Sequence, residues 1–321
     1  MVPIAAVPQL GAAGNTRPPE AVAPVKPGRY RRGGEGADRM TQQARDQLGR
    51  FGIWRGEGQV TPELAVSIEE LGFGALWLGS ATGDLAAAEE FLAATTTLIV
   101  ATGIVNMWQY EPHQVAASFR RVEDRFAGRF LLGVGAGHPE VTQKYAQPYD
   151  TLSRYVDTLL ADGVPAGSLV LAALGPKVLQ LAAERTAGAH PYLVTPDYTR
   201  EARKILGPGP LLVPEQKVVV SPDPGQARAT GRPRVEKPYL ELANYTANLR
   251  RLGWTDADLS GGGSDALIDA LVAHGSAAQV AARLTEHLDA GADHVSIQLL
   301  TPPGAGPDEG YRELAGALGL R

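Results

Sequence analysis

The chain has 321 residues, of which 44% are hydrophobic and 20% charged, with a formal net charge of −5 at pH 7. The absence of cysteine excludes disulfides, thiolate metal sites and a cysteine nucleophile, and an acidic balance without a basic stripe among aromatics argues against nucleic acid as a partner. No apolar run approaches the roughly 20 residues that cross a bilayer, and Val2 to Leu10 lacks the charged start of a secretory signal, so a soluble, cytoplasmic protein with no membrane partner is expected.

Residues 1–45 are rich in Pro, Gly, Ala and Arg, as in Arg17-Pro-Pro19 and Arg29-Tyr-Arg-Arg-Gly-Gly34. With few large apolar side chains this stretch cannot offset the entropy of ordering it, and it is expected as a disordered extension or a basic arm for an anionic partner. Residues 46–321 are expected as one domain, because strand and helix signals alternate along them with no break in composition. Arg50-Phe-Gly-Ile-Trp54 reads as the first strand, and Thr61-Pro62-Glu63 as a helix start with Pro in the first turn, ahead of a stripe of Leu64, Ile68 and Leu71. Ala75-Leu-Trp-Leu78 is the second strand and Leu98-Ile-Val-Ala-Thr-Gly-Ile-Val the third. Pro112 to Phe126 follows as a helix striped by Val115, Phe119, Val122 and Phe126. Phe130-Leu-Leu-Gly-Val-Gly-Ala-Gly137 is the fourth strand with its turn, Ser168 to Ala173 the fifth, Gly188 to Val194 the sixth, Leu211 to Val220 the seventh and Asp293 to Leu300 the eighth. A long helical stretch is expected from Asp223 to Leu252, and another helix from Ala277 to Ala290. Eight apolar strands separated by helices favour a single closed (β/α)8 TIM barrel. A dinucleotide-binding sheet would place a G-x-G-x-x-G turn after its first strand, and Gly56 and Gly58 lack that spacing.

In such a barrel ligands sit beyond the C-terminal ends of the strands. The groups there are Asn106, Met107 and Trp108 after the third strand, Gly133, Gly135, Gly137 and His138 after the fourth, and Leu174-Gly175-Pro176-Lys177 after the fifth. The glycines either close a tight turn or let backbone approach a flat ring or phosphate. A strand end, a glycine and a helix start followed by Lys177 offer N–H groups, the helix dipole and a cation to an anion, or form a plain capped turn. His138 is a candidate acid or base, with a simple loop hydrogen bond as the alternative. His190 opens the sixth strand in this reading and is expected at or near the opposite, stabilising face. No histidine has metal-site spacing, and no G-x-S-x-G elbow occurs.

The strings Leu98 to Met107, Pro112-His-Gln-Val-Ala-Ala-Ser-Phe119 and Gly128 to Gly137 resemble the luciferase-like monooxygenase superfamily. Leu174 to Glu184, Val280-Ala-Ala-Arg283 and Gly291-Ala-Asp-His-Val295 extend the likeness, which is strongest toward the branch of oxidoreductases using coenzyme F420, a hydride-carrying deazaflavin. The resemblance implies that Thr102, Gly103, Ile104 and Val105 form a bulge behind the ring, with a non-prolyl cis peptide at Gly103-Ile104. It further implies that Asn106 bonds the polar edge of the ring. Ala136, Gly137, Gly175, Pro176 and Lys177 would surround the phosphate-bearing tail, His138 would stand where relatives place a catalytic Glu, and loops after His138 and after Val194 would exclude water. Relatives acting on hydroxyl substrates carry an Asp-His pair at the end of the second strand; Gly79-Ser80 stands here, which favours reduction of a substrate over alcohol oxidation. An FMN-dependent monooxygenase and a non-catalytic flavin or deazaflavin binder are the alternatives, and a homodimer is implied by the resemblance.

Overall fold

The computed structural model describes residues 46–137 and 147–320. The expected extension, residues 1–45, and His138 lie outside the described residues.

Parallel strands and helices alternate, as the apolar runs require. The first half comprises β1 (Phe51–Gly56), α1 (Pro62–Glu70), β2 (Ala75–Gly79), α2 (Ala86–Ala94), β3 (Ile99–Thr102), β4 (Val105–Asn106), α3 (Pro112–Phe126), β5 (Phe130–Gly135), α4 (Pro148–Ala161) and β6 (Leu169–Leu171). Then come α5 (Pro176–Arg185), β7 (Gly188–Ala189), α6 (Pro196–Leu206), β8 (Leu211–Leu212), β9 (Glu215–Val220), α7 (Pro224–Glu236), α8 (Ala243–Arg251), α9 (Asp256–Leu259), α10 (Asp265–Leu271), β10 (Val272–Gly275), α11 (Ala277–Asp289), β11 (Val295–Leu299) and α12 (Asp308–Ala317). Helices α1 and α3 to α7 all begin with Pro in the first turn, where the missing N–H has no intrahelical partner to lose. Thr61 and Thr195 cap α1 and α6 by accepting from Leu64 N and Tyr198 N. The stripe read on α3 is buried at Val115, Phe119 and Val122.

All strand pairs of the ring are parallel, in the order β9-β11-β1-β2-β3-β5-β6-β7-β8, with β4 also on β5. Leu211 to Val220 is the seventh strand, interrupted at Val213 and Pro214. On one side Val213 N and Glu215 N donate to Ala189 O and Pro191 O, and on the other Asp293 N and Ser296 N donate to Leu212 O and Pro214 O. These bonds close the ring, so the chain is a (β/α)8 TIM barrel with all eight strands where the apolar runs put them.

Two readings are corrected. The helix expected from Asp223 to Leu252 is two, α7 and α8, parted at Lys237 and Pro238 and a 3-10 turn at Tyr239–Glu241, because Pro238 offers no N–H and its ring moves the preceding residue out of helical backbone. An unexpected strand, β10, pairs with β9 outside the ring. Inside the barrel, Leu48, Trp77, Ile99, Ala101, Leu131 and Val170 form one apolar cluster, while Val100, Leu132, Leu171 and their neighbours face the helices in another. Among the described residues no helix is long and apolar enough to cross a membrane.

Candidate active site

At the C-terminal ends of the strands lies a cavity of about 760 Å³. Its floor is built by three strand ends. Beyond β3 the Gly103-Ile104 peptide is cis, as the resemblance implies, and both residues line the cavity with Asn106. Asn106 Oδ1 accepts from Trp108 N at 2.9 Å, which fixes the amide and turns Nδ2 toward Gly137. Beyond β5 come Ala136 and Gly137. Gly137 has φ +55°, and a Cβ there would stand 2.5 Å from Asn106 Nδ2, so only glycine keeps both the turn and the space. Beyond β6, Gly175, Pro176 and Lys177 open α5 with no side chain capping it. That leaves the positive end of the helix dipole facing the cavity, and the exposed Lys177 makes no ion pair among the described residues.

Eight of the nine residues expected to hold a cofactor therefore share one cavity. The ninth, Thr102, does not line it. Its side chain is fully buried between strands, where Oγ1 accepts from Gly133 N and donates to Gly133 O, both at 2.8 Å. Thr102 ties β3 to β5 behind the floor. The loop expected after Val194 is corrected too: Thr195 caps α6 at once and Val194 is buried away from the cavity, so no loop there covers the site.

The reading of sequence placed His190 wrongly and missed its surroundings. β7 ends at Ala189, and His190 follows on the same C-terminal side as the rest of the floor, buried and lining the cavity. Pro191 was the available signal, since a residue without N–H ends a central strand. Trp54, Tyr192, Tyr239 and Tyr245 also line the cavity, with Asn244, Ala247 and Arg251 from one face of α8. Trp54 Nε1 donates to Gly103 O at 3.2 Å, and Tyr192 OH donates to Gln298 Oε1 at 2.9 Å.

Behind Tyr192 sits a buried ion pair. Lys217 Nζ donates to Glu215 Oε1 at 3.1 Å and lies 3.8 Å from the centre of the Tyr192 ring; Glu215 Oε2 accepts from Leu193 N at 3.0 Å. Burial pushes the Glu215 carboxyl up and the Lys217 amine down, each partly restored by the charge of the other. The same burial holds Tyr192 and Tyr245 well above the ordinary phenol range and His190 down at about 4. No carboxylate lines the cavity among the described residues.

Comparison with known proteins agrees with this geometry. Residues 48–161 match the luciferase-like monooxygenase family model. The 4-hydroxyprotoasukamycin monooxygenase of Streptomyces nodosus subsp. asukaensis is 30% identical over 107 residues, a match that takes in 30% of this chain and 29% of that protein, so the match spans less than a third of that relative's length. An F420-dependent secondary alcohol dehydrogenase, solved with an F420-acetone adduct, superposes with a TM-score of 0.66 at 16% identity, over 84% of this chain and 98% of that one. The oxygenating constituent of the Pseudomonas putida 3,6-diketocamphane monooxygenase, solved with FMN, superposes with a TM-score of 0.58 at 12% identity, over 83% of this chain and 95% of that one. The resemblance to the luciferase-like monooxygenase superfamily thus holds in sequence over residues 48–161, and the fold is shared with these solved structures over more than four-fifths of the chain.

Proposed function

We propose that the chain is an oxidoreductase that binds coenzyme F420 at its strand ends and exchanges hydride with a small organic substrate, in the direction of substrate reduction. The observation that carries this reading is the convergence of Gly103, Ile104 and Asn106, of Ala136 and Gly137, and of Gly175, Pro176 and Lys177 on one cavity. Such a cavity is within the ~300–1,000 Å³ usual for cofactor and small-molecule sites. The deazaflavin, when bound, supplies the hydride chemistry; the protein supplies position and electrostatics.

The residues present fit that group. Gly103 and Gly137 line the cavity without side chains of their own, which suits a flat ring, and the Asn106 amide, held by Trp108 N, presents donors to a polar edge. The uncapped start of α5 and Lys177 suit a phosphate. Trp54 and Tyr192, with ring centres 5.3 Å apart, keep water from one side. With Ser80 in the cavity and no carboxylate among its described lining, nothing described there takes a proton from a substrate alcohol. Reduction, with a proton delivered by solvent or by His138, is the chemistry these groups favour.

An FMN-dependent monooxygenase is the second reading, supported by the sequence match to a monooxygenase; it places a similar ring and phosphate on the same residues. Titrating the purified protein separately with oxidised F420 and with FMN, and following quenching of cofactor fluorescence, decides between them. Saturation by F420 at micromolar concentration with little response to FMN is expected. The reverse result moves the protein to flavin-dependent oxygenation, and silence toward both makes it neither. The homodimer implied by the resemblance belongs to the same proposal, and sedimentation of the protein tests it.

A further inference from the structure

We propose that Arg251 receives the carboxylate of the substrate, so that the site takes an organic acid whose flat, apolar body packs on the aromatic end of the cavity. Helix α8 turns Arg251 to this use. Asn244, Ala247 and Arg251 line the cavity at steps of three and four residues, which puts them on one face of the helix. The preceding Arg250 leaves that face and pairs with Asp256. Arg251 makes no ion pair among the described residues. Its Nη2 donates instead to Oδ1 of the buried Asn248 at 2.8 Å, three residues earlier, which folds the side chain back along α8 toward Tyr245 and steadies the guanidinium with most of its donors unspent. Burial holds the Tyr198 phenol above its ordinary range, and the charge of Arg251 partly offsets this. The guanidinium therefore stands by the Tyr198 hydroxyl, which donates to Ala173 O and Leu174 O at 3.0 Å, at the end of β6 where the cavity floor begins.

The surroundings specify one negative charge on an apolar body. No carboxylate lines the cavity among the described residues, although the chain as a whole carries a net charge of −5. Lys177 is assigned to the phosphate of the cofactor, and Lys217, under the Tyr192 ring, is neutralised by Glu215. Arg251 is thus the one cation of the described lining left to the substrate. A guanidinium fork matches a carboxylate with two parallel N–H donors and one charge, whereas a phosphate monoester brings nearly two charges at pH 7. Trp54, Tyr192, Tyr239 and Tyr245 form an arc of touching rings, with centroid separations of 5.3, 5.3 and 5.0 Å, which suits a flat body packed edge or face on. Tyr245, at one end of the arc, precedes Arg251 by six residues, about 9 Å of helix axis, so the acid group and the far end of the body are more than one ring apart. The inference deepens the proposed redox function by naming the substrate class of the same site.

The test uses the full-length protein, saturated with F420 or FMN so that the phosphate position is filled, and two probes of nearly equal shape, biphenyl-4-carboxylate and biphenyl-4-carboxamide, which differ by one charge. Binding is measured by titration calorimetry. Wild type is expected to bind the carboxylate about fivefold more tightly than the carboxamide or better, the scale of one charge-assisted pair open to solvent, with the preference shrinking as salt is added. Arg251→Gln is expected to abolish the preference while leaving the affinities for the carboxamide and for the cofactor as they were. A wild-type preference below that level, or one that survives in Arg251→Gln, overturns the proposal. So does an Arg251→Gln protein that loses cofactor affinity, since the cation then serves an anionic group of the cofactor. If neither F420 nor FMN binds, the same two probes are compared in Lys177→Ala and in Lys177→Ala with Arg251→Gln, where the other cation of the lining is gone; a preference present in the first and absent in the second upholds the acid receptor and sinks only the redox function, and any other result sinks both.

Discussion

Lowering the pH from 7 to 5 should remove a large part of the folding stability, because three histidines are buried in the neutral form. His190 donates from Nδ1 to Val213 O. His294 donates from Nδ1 to Gly49 O at 3.0 Å and accepts at Nε2 from Trp77 Nε1 at 3.2 Å, so a second proton would confront an N–H donor. The amide nitrogen of Gln216 donates to Lys217 O and Leu271 O, which turns Oε1 toward His287 Nε2 at 2.8 Å; that nitrogen therefore carries the hydrogen, and Nδ1 faces Thr199 Oγ1. Burial is the first cause in each case, holding His190 and His294 at about 4 and His287 at about 3. The unfolded chain takes up these protons near pH 6.5, so it binds more protons than the folded state at pH 5, and stability that is complete above 6.5 is lost as pH falls. Each histidine contributes about 2 kcal/mol by pH 5, and the three about 6 kcal/mol. Glu215 works the other way, since burial makes the folded state take its proton first. The net loss expected is ~3 kcal/mol or more, a large share of the ~5–15 kcal/mol that holds a typical domain together. Urea titrations at the two pH values measure it directly, and His294→Gln, which keeps an acceptor for Trp77, should reduce the slope by roughly a third. Stability changing by under about 1 kcal/mol between pH 7 and 5 would refute the assignment of neutral buried histidines.

Lys217→Met leaves Glu215 buried without its cation and should cost ~3–5 kcal/mol in urea unfolding, while the double change Glu215→Leu with Lys217→Met should recover most of that loss. Gly137→Ala, which forces a side chain into φ +55° and to 2.5 Å from Asn106 Nδ2, should weaken cofactor binding by tenfold or more by fluorescence titration, with about 1–2 kcal/mol of lost stability from the backbone alone. Lys177→Ala should leave unfolding unchanged, weaken cofactor binding by about tenfold, and flatten its dependence on salt, because one exposed cation no longer faces the phosphate.

The strand ends were legible because each is a local string. Leu98 to Asn106 and Phe130 to Gly137 carry their own backbone directions, and their partners lie on adjacent strands of the ring. Thr102 was misassigned for a reason that period-two alternation could have supplied: Ile99 and Ala101 point into the barrel and Val100 toward the helices, so Thr102 shares the outward side with Val100. The aromatic arc was not legible in the same way. Tyr239 and Tyr245 flank the turn between α7 and α8, 47 residues or more beyond Tyr192 in sequence, and only the return of that turn over the strand ends brings the rings together. His190 was hidden by a strand that stops at Ala189, five residues sooner than its apolar run suggests.

The alternatives that sequence left open for the glycines, tight closure or approach to a ring, are separated by what fills the place of each missing side chain. At Gly133 a Cβ would lie 1.9 Å from Thr102 O, and at Gly79 it would lie 2.1 Å from Trp54 Cζ2; both positions are filled by the protein and belong to packing. Gly52 gives way to His294 in the same manner, at 2.6 Å. The barrel thus accommodates Trp54 and His294 by omitting side chains on facing strands, a close-packed exchange of large for small. Gly137 likewise gives its place to the amide of Asn106, at 2.5 Å, and Gly175 is different, with nothing within 4 Å of its missing Cβ. Gly175 lines the cavity, so it is there that bare backbone is left for something other than the protein to touch.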